Sequence, residues 1–309
     1  MLVTGGAGFI GSHVVDGLVR AGYSVKVLDN LSAGSLDNIA SHVRGGLVEF
    51  VEGDIRDSVL AERLCRDVDA VVHLAALVSV PLSLEDPDST FDVNVNGTSN
   101  VLYSCCSENV RKIVFASSCA VYGAPKRLPI DEGHPTCPMS PYASSKLEGE
   151  HVCEAFSECS RADVVVFRLF NVYGSRQKSG MYAGVITKFL DRAGRGEPLV
   201  IYGDGSQTRD FVHVSDVVQA VLTMLGKNGV EGTFNVGSGV EVSVEALAEK
   251  VLEVTGKNVD VVHEPARLGD IERSVADVFK AQEQFGFSPK VSLDEGLRRL
   301  IRQRGFSVK

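Results

Sequence analysis

The sequence predicts an α/β fold: a doubly wound parallel sheet with a smaller mixed α/β domain beside it. Three observations predict it. Short runs rich in Val and Ile alternate with longer helix-like stretches through the first half of the 309 residues. Three glycines, Gly5, Gly8 and Gly11, recur at every third position between the first apolar run and the first helix-like stretch. Beyond Phe170 the alternation loosens and Gly and Pro punctuate the chain, as in Gly194-Arg195-Gly196-Glu197-Pro198 and Gly203-Asp204-Gly205.

Strands are expected at Leu2–Thr4, Ser24–Asp29, Leu47–Asp54, Ala70–Ala76, Lys112–Ser118 and Asp163–Phe170. They are nearly all apolar, as strands covered on both faces must be. Helices are expected between them at Ile10–Ala21, Ser58–Cys65, Ser89–Ser107 and Pro141–Cys159. The second half predicts helices at Gly184–Ala193, Ser215–Leu225, Val244–Thr255 and Leu293–Arg302. Residues 1–170 are read as a Rossmann-type dinucleotide-binding unit, with 203–226 packing back onto it. Residues 171–309 are read as a substrate-binding unit over the carboxyl ends of the strands, where open α/β sheets take their ligands.

Apolar residues make up 44% and charged residues 23%, so a large core is available. A net charge of −9 and no dense Lys/Arg run argue against nucleic acid and anionic membrane as partners. No apolar run reaches membrane-spanning length, and the glycine-rich turn at Gly5 leaves no room for a signal peptide, so a cytoplasmic location is expected. The seven Cys form no Cys-x-x-Cys pair and no metal-ligand cluster with His. They read as small buried hydrophobes, and no metal is expected.

The segment from Gly5 to Gly11 has one residue more between its first two glycines than the dinucleotide fingerprint, with the same mechanics. Gly5 permits the tight turn, Gly8 admits the pyrophosphate to the backbone, and Gly11 lets helix and strand pack closely. The helix start then faces the phosphates with unsatisfied N–H groups. A glycine pattern alone is also an ordinary tight turn; Asp29 supplies the context. It ends the second strand 18 residues after Gly11, where a carboxylate can accept both ribose hydroxyls of adenosine. It repels a 2′-phosphate and no cation follows it, which favours NAD over NADP. Asp54 ends the third strand and reads either as an acceptor for the adenine amino group or as a helix N-cap. Leu74, Ala75 and Ala76, after His73, are small enough to admit the cofactor.

Ser118 ends the fifth strand, and Tyr142 and Lys146 lie one turn apart on one face of the next helix. A free phenol has a pKa of about 10, so a tyrosine base near neutrality needs about 4 kcal/mol of help. A neighbouring ammonium and a nicotinamide cation would supply it. Lys146 can also hold the nicotinamide ribose, and Ser118 can bond the same substrate hydroxyl. Taken alone, Tyr-x-x-x-Lys is also a surface helix pair.

Thr4-Gly5-Gly6-Ala7-Gly8-Phe9-Ile10-Gly11-Ser12-His13, Phe115-Ala116-Ser117-Ser118-Cys119-Ala120-Val121-Tyr122-Gly123 and Pro141-Tyr142-Ala143-Ser144-Ser145-Lys146 resemble the extended short-chain dehydrogenase/reductase family. The resemblance continues through Arg168-Leu169-Phe170-Asn171-Val172-Tyr173-Gly174 and Arg209-Asp210-Phe211-Val212-His213-Val214, across nearly the whole chain. Within the family the sequence is most similar to the UDP-glucose 4-epimerases. That similarity implies tightly bound NAD, a UDP-sugar substrate and a homodimer built on the helices Ser89–Ser107 and Pro141–Cys159. It implies Phe9 and Ile10 at the pyrophosphate, Asn30, Ser32 and Gly34 on the adenosine side, and Phe170 at the nicotinamide. Asp54 and Ile55 join the same cofactor-binding set. Asn171 would meet the sugar or diphosphate, Val185 and Tyr202 the nucleotide, and Arg209, Arg267 and Asp270 the diphosphate and uridine ribose. Two converging Arg would give an acidic protein its local positive charge, although a lone Arg is more often a surface ion pair.

The resemblance also separates chemistries. Related dehydratases and decarboxylases carry an acid just after the catalytic Ser or Thr, where this chain has Cys119 and Ala120. Cys119 is similar to a cysteine of GDP-fucose synthase, but Asp29 speaks against that NADPH enzyme, and a packed small residue is the simpler reading. Epimerisation needs the fewest groups and is expected; other epimerases, reductases or dehydratases of nucleotide sugars are the alternatives. Dinucleotide-binding regulators of this fold lose one of the Ser, Tyr and Lys, and all three are present here. Ser274 stands where UDP-glucose-restricted relatives carry Tyr, which implies room for an N-acetylated sugar.

Overall fold

The computed structural model describes residues 1–180, 183–267 and 269–304. Among them twelve strands form: β1 Leu2–Thr4, β2 Val25–Asp29, β3 Val48–Glu52, β4 Ala70–His73, β5 Lys112–Ser118, β6 Asp163–Leu169, β7 Asn171–Tyr173, β8 Leu199–Tyr202, β9 Thr208–His213, β10 Gly232–Val236, β11 Glu241–Ser243 and β12 Val261–Glu264. Seven make one sheet in the order β10-β6-β5-β4-β1-β2-β3. Every neighbouring pair in it is parallel, and β1, β4 and β5 are buried along most of their length. The chain order reverses between β1 and β4, and ligand crevices in such sheets open at that switch point.

Register sets the site. Thr4 pairs with both Leu28 and His73, and Ser118 pairs with Leu169. The carboxyl ends of β1, β2, β4, β5 and β6 therefore meet at one edge. Helix Phe9–Arg20 starts there, directly after β1. Helix Pro141–Cys159 starts at the same edge, with Pro141 in its first turn and Ser140 capping it through the Ala143 N–H at 3.1 Å.

The expected strands and helices of the first half form, with ends shifted by a few residues, except for Ser89–Ser107. That stretch is a short helix, Pro87–Phe91, a wide π-type turn, Asp92–Gly97, and a second helix, Thr98–Ser107. The local cause is packing and hydrogen bonding. A Cβ on Gly97 would lie 2.5 Å from Ile55 Cδ1. The Asn94 amide reaches out to bond the backbone N–H and C=O of Leu77 at 2.8 and 2.9 Å. Single-turn widenings of this kind are a known form of helix bulge.

The main sheet also has a strand that periodicity did not reveal. β10 comes from late in the chain and pairs with β6 from Gly232↔Val165 to Val236↔Leu169. Helix Val214–Leu225 packs on helix Phe9–Arg20, and a Cβ on Gly17 would meet Val218 Cγ1 at 2.6 Å. The remaining strands form β11-β9-β7 and β12-β8. They share a core of Phe189, Leu190, Leu199, Ile201, Leu247, Val251 and Leu297 with helices Val185–Arg195, Val244–Thr255 and Leu293–Gln303.

The cysteines divide more evenly than composition suggested: Cys65, Cys105 and Cys153 are buried, Cys119 is half-buried, and Cys106, Cys137 and Cys159 are exposed. Exposure follows helix position, since Cys106 and Cys159 sit in the last turns of surface helices. Among the described residues no helix is long and apolar enough to cross a membrane, and no cluster of His, Cys, Asp and Glu is arranged to hold a metal.

One buried ion pair locks the sheet to helix Pro141–Cys159. Arg168 on β6 bonds both carboxylate oxygens of Glu150, from Nε at 3.0 and 3.1 Å and from Nη2 at 2.6 Å. Ser117 Oγ donates to the same carboxylate. Both charged side chains are under a tenth exposed. Removing one partner strands the other. Glu150→Ala is expected to lose about 3 kcal/mol in urea unfolding. Glu150→Leu with Arg168→Met should lose clearly less; equal losses would show that the pairing contributes nothing.

Candidate active site

The glycine turn is shaped by close approach. Gly5 has a φ of +68°, and a Cβ there would meet the Ala75 backbone N at 2.8 Å. A Cβ on Gly11 would stand 2.0 Å from the Gly5 carbonyl oxygen. Gly8 is the N-cap of helix Phe9–Arg20, and no side chain caps that end. Ser140, Ser243 and Ser292 do cap their helices. The first-turn N–H groups around Phe9 and Ile10 are therefore left to an outside anion. Gly34 closes against this turn, where a Cβ would be 2.9 Å from the Ala7 carbonyl.

Asp29 lies beside the turn, buried to 7% exposure. Its oxygens accept from the Ala7 N–H at 2.9 Å and the Leu31 N–H at 2.8 Å. One lone pair on each oxygen stays available. Asn30 donates to Asp54 at 3.0 Å and accepts from the Ser32 N–H and hydroxyl. The N-cap of helix Ser58–Cys65 is Asp57. Asp54 is instead held by Arg56 Nε and Nη2 at 3.0 and 2.9 Å, and that guanidinium lowers its pKa to about 2. Ile55 is buried in the core behind it. These features fit a dinucleotide: an uncapped helix start for phosphates and a fixed acid at the second strand's end.

Ser118 Oγ accepts the Ala120 N–H at 3.2 Å and lies near enough to the Tyr142 phenol to act on its proton. Lys146 is 4% exposed, with its ammonium 4.5 Å from the centre of the Phe115 ring. No hydrogen bond joins it to another of the described residues. Burial pulls its pKa down to about 8, against opposing pulls from Cys153 and Glu150. The electrostatics of the tyrosine differ from the sequence expectation. Burial pushes the Tyr142 phenol up to about 12, with Ser118 acting in the lowering direction. The lysine charge is not among the groups that move it. Ammonium and phenol are both desolvated here, and that works against charge on either. Cys119 lies beside Tyr142, its thiol pushed up to about 12 by burial, and is a neutral packed group at working pH.

The second half supplies a cationic wall. Arg209 on β9 bonds Asp270 and the Ile271 carbonyl, the latter at 2.6 Å. The Arg267 guanidinium lies 3.7 Å from the centre of the Tyr202 ring. Val185 begins the helix that carries Lys188, and Arg267 helps depress the Lys188 pKa. Lys188 did not stand out in the sequence; its signal is its place one turn after Val185. Asn171 donates to the Asp210 carbonyl at 3.3 Å, and Phe170 is buried with Val121 and Tyr122.

Sequence reading also missed the chain of bonds behind these groups. The Thr98 hydroxyl donates to the Asn94 carbonyl at 2.7 Å, so it accepts from His73 Nε2 at 2.9 Å. His73 Nδ1 then accepts from the Thr4 hydroxyl at 2.6 Å, while Thr4 Oγ1 takes the Leu74 and Ala75 N–H groups. Burial drives the His73 pKa down to about 3, which keeps the ring neutral. Asn94 Nδ2 continues to Ser145 Oγ at 2.9 Å, and Ser145 donates to the Tyr142 carbonyl at 2.8 Å. The glycine turn and the tyrosine helix are thus one rigid unit.

The model of the NAD dependent epimerase/dehydratase family matches residues 1–237. The chain is 39% identical over 302 residues to a UDP-glucose 4-epimerase of Mycolicibacterium smegmatis, covering 97% of this chain and 96% of the relative. A UDP-glucose 4-epimerase of Thermotoga maritima, solved with UDP-glucose, superposes with a TM-score of 0.93 at 39% identity over 98% of both chains. A UDP-N-acetylglucosamine 4-epimerase of Methanobrevibacter ruminantium, in complex with UDP-N-acetylmuramic acid, gives a TM-score of 0.93 at 36% identity, over 97% of this chain and 96% of that one.

The lysine electrostatics are directly measurable. In 15N-lysine NMR of the cofactor-free protein, one Nζ signal, absent from Lys146→Arg, should lose its proton as pH rises through about 8. A Lys146 signal that titrates with the bulk lysines would contradict that burial.

Proposed function

The chain belongs to the NAD dependent epimerase/dehydratase family, and from that premise we propose that it interconverts C4 epimers of a UDP-hexose through a transient 4-keto sugar. The observation that carries the reading is the placement of Ser118 at the carboxyl end of β5 beside the helix that carries Tyr142, whose phenol it influences, and Lys146 one turn further on. No acid follows Ser118, where dehydration would need one; Cys119 and Ala120 stand there.

When bound, NAD supplies a hydride acceptor and donor at C4 of the sugar. The protein does the rest. The uncapped helix start at Gly8, with Phe9, Ile10 and Gly11, holds the pyrophosphate, and Asp29 takes the adenosine ribose. Asn30, Ser32, Gly34, Asp54 and Ile55 line the adenosine side, and Leu74, Ala75, Ala76 and Phe170 the rest of the cofactor cleft. Lys146 donates to the nicotinamide ribose. Tyr142 removes the proton of the sugar 4-hydroxyl and returns it after the sugar turns over, while Ser118 bonds the same oxygen. Arg209, Arg267 and Asp270 grip the diphosphate and ribose, and Asn171, Val185 and Tyr202 complete the nucleotide site. A firm hold on the nucleotide with few contacts to the hexose allows the ring to rotate without escaping. A non-catalytic role is disfavoured because Ser118, Tyr142 and Lys146 are all present and gathered at one edge.

Residues 1–170 with the returning helix and β10 serve the cofactor, and the rest of 171–309 serves the nucleotide sugar. A homodimer through helices Thr98–Ser107 and Pro141–Cys159 is part of this reading, supported by their packing side by side with Tyr103 70% exposed. Ser274 is small, and the room it leaves relative to a Tyr supports acceptance of N-acetylated sugars.

Incubating purified protein with a panel of nucleotide sugars, with no added cofactor, tests the reaction. The expected result is epimer formation with no net change in nicotinamide absorbance. Tyr142→Phe should lower turnover by about a thousandfold or more while retaining NAD; near-normal turnover would remove Tyr142 from the mechanism. UDP-N-acetylglucosamine should turn over at a rate comparable with UDP-glucose, and Ser274→Tyr should abolish the N-acetylated reaction selectively. Turnover of UDP-glucose alone by the unaltered protein would defeat the pocket argument.

A further inference from the structure

Asp210 follows Arg209 on β9 and is fully buried. Its Oδ1 accepts the Ser238 N–H and the Ser238 hydroxyl, both at 2.6 Å. Its Oδ2 accepts the Gly239 N–H at 2.9 Å and the Ala276 N–H at 3.1 Å. Four donors use the four lone-pair sites of one carboxylate. Three chain segments meet on it: β9, the turn after β10, and the stretch 274–276. The knot has no slack, because a Cβ on Gly237 would stand 2.7 Å from Asp210 Oδ2 and 2.6 Å from Ala276 Cβ.

Each segment leads to a group assigned above to the nucleotide sugar. Arg209 is the preceding residue, and the Asp210 carbonyl accepts the Asn171 side chain. Ser274 lies two residues before Ala276, whose stretch is otherwise tied by backbone bonds to Ile130 at 2.9 and 2.8 Å. Asp210 and Arg209 also act electrostatically on Cys119, next to Ser118. By contrast Ser118, Tyr142 and Lys146 hang from β5 and helix Pro141–Cys159, and no bond links them to Asp210.

We infer that Asp210 is a positioning residue for nucleotide-sugar recognition: its carboxylate fixes Arg209 and the 274–276 wall relative to the sheet edge. The inference rests on the proposed UDP-sugar substrate. It predicts a separation of binding from chemistry. A purely stabilising carboxylate would lower melting temperature and leave KM unmoved.

Asp210→Asn keeps the shape and turns an acceptor into a donor among donors. The expected outcome is a rise in KM for the UDP-hexose, and in Kd for UDP by calorimetry, of about tenfold or more. The kcat should stay within about twofold and the protein should retain its NAD. Ser238→Ala removes only the hydroxyl donor, preserves folding if the first variant does not fold, and should raise KM by about threefold. The inference is overturned if both variants keep the KM of the unaltered protein, or if kcat and NAD content fall in step with binding. If the unaltered protein binds no UDP-sugar, the functional reading itself fails, and that result is distinct from unchanged variants of a protein that does bind.

Discussion

Parallel register is the constraint on which the rest depends. Every strand of the seven-stranded sheet runs the same way. Groups far apart in sequence, Gly8, Asp29, His73, Ser118 and Leu169, therefore reach one edge. The bonded chain from Thr4 through His73, Thr98 and Asn94 to Ser145 then converts shared position into shared rigidity. A neutral histidine suits the centre of this chain. With one donor and one acceptor it joins two hydroxyls in a single proton order, and burial prevents it from charging.

The phenol shows how one environment acts oppositely on neighbouring groups. Desolvation raises the Tyr142 pKa and lowers that of Lys146, so both shifts work against a phenolate–ammonium pair in the unliganded site. Spacing in a sequence specifies adjacency but says nothing about solvent. Helical periodicity places the lysine one turn from the phenol and so points to its charge as a main influence. Adjacency and burial arrive together, and burial moves the phenol upward while the lysine charge is not among the groups that move it.

The nucleotide-binding half was legible because its signals are local. Gly5, Gly8 and Gly11 mark a turn, Asp29 ends an apolar run, and Pro141 with Ser140 opens a helix. Three features were not legible, each for a non-local reason. β10 is a five-residue strand whose place depends on a partner some seventy residues earlier. The wide turn at Asp92–Gly97 answers to Ile55 and Leu77, which lie outside its own sequence window. Asp210 lies within a recognisable motif, but four hydrogen bonds from two other segments cannot be seen in a motif. Arg209 and Asp270 stood out singly, and only the folded chain shows them as a bonded pair.

The solitary ammonium over Phe115 has a thermodynamic consequence. An ammonium that no described protein group accepts, on a side chain only 4% exposed, is partly stripped of its water in the empty fold. Any ligand that brings an acceptor to Lys146 Nζ binds the native state and not the unfolded one, so occupancy and folding are linked. Loss of that ligand should then lower the unfolding free energy of the empty form.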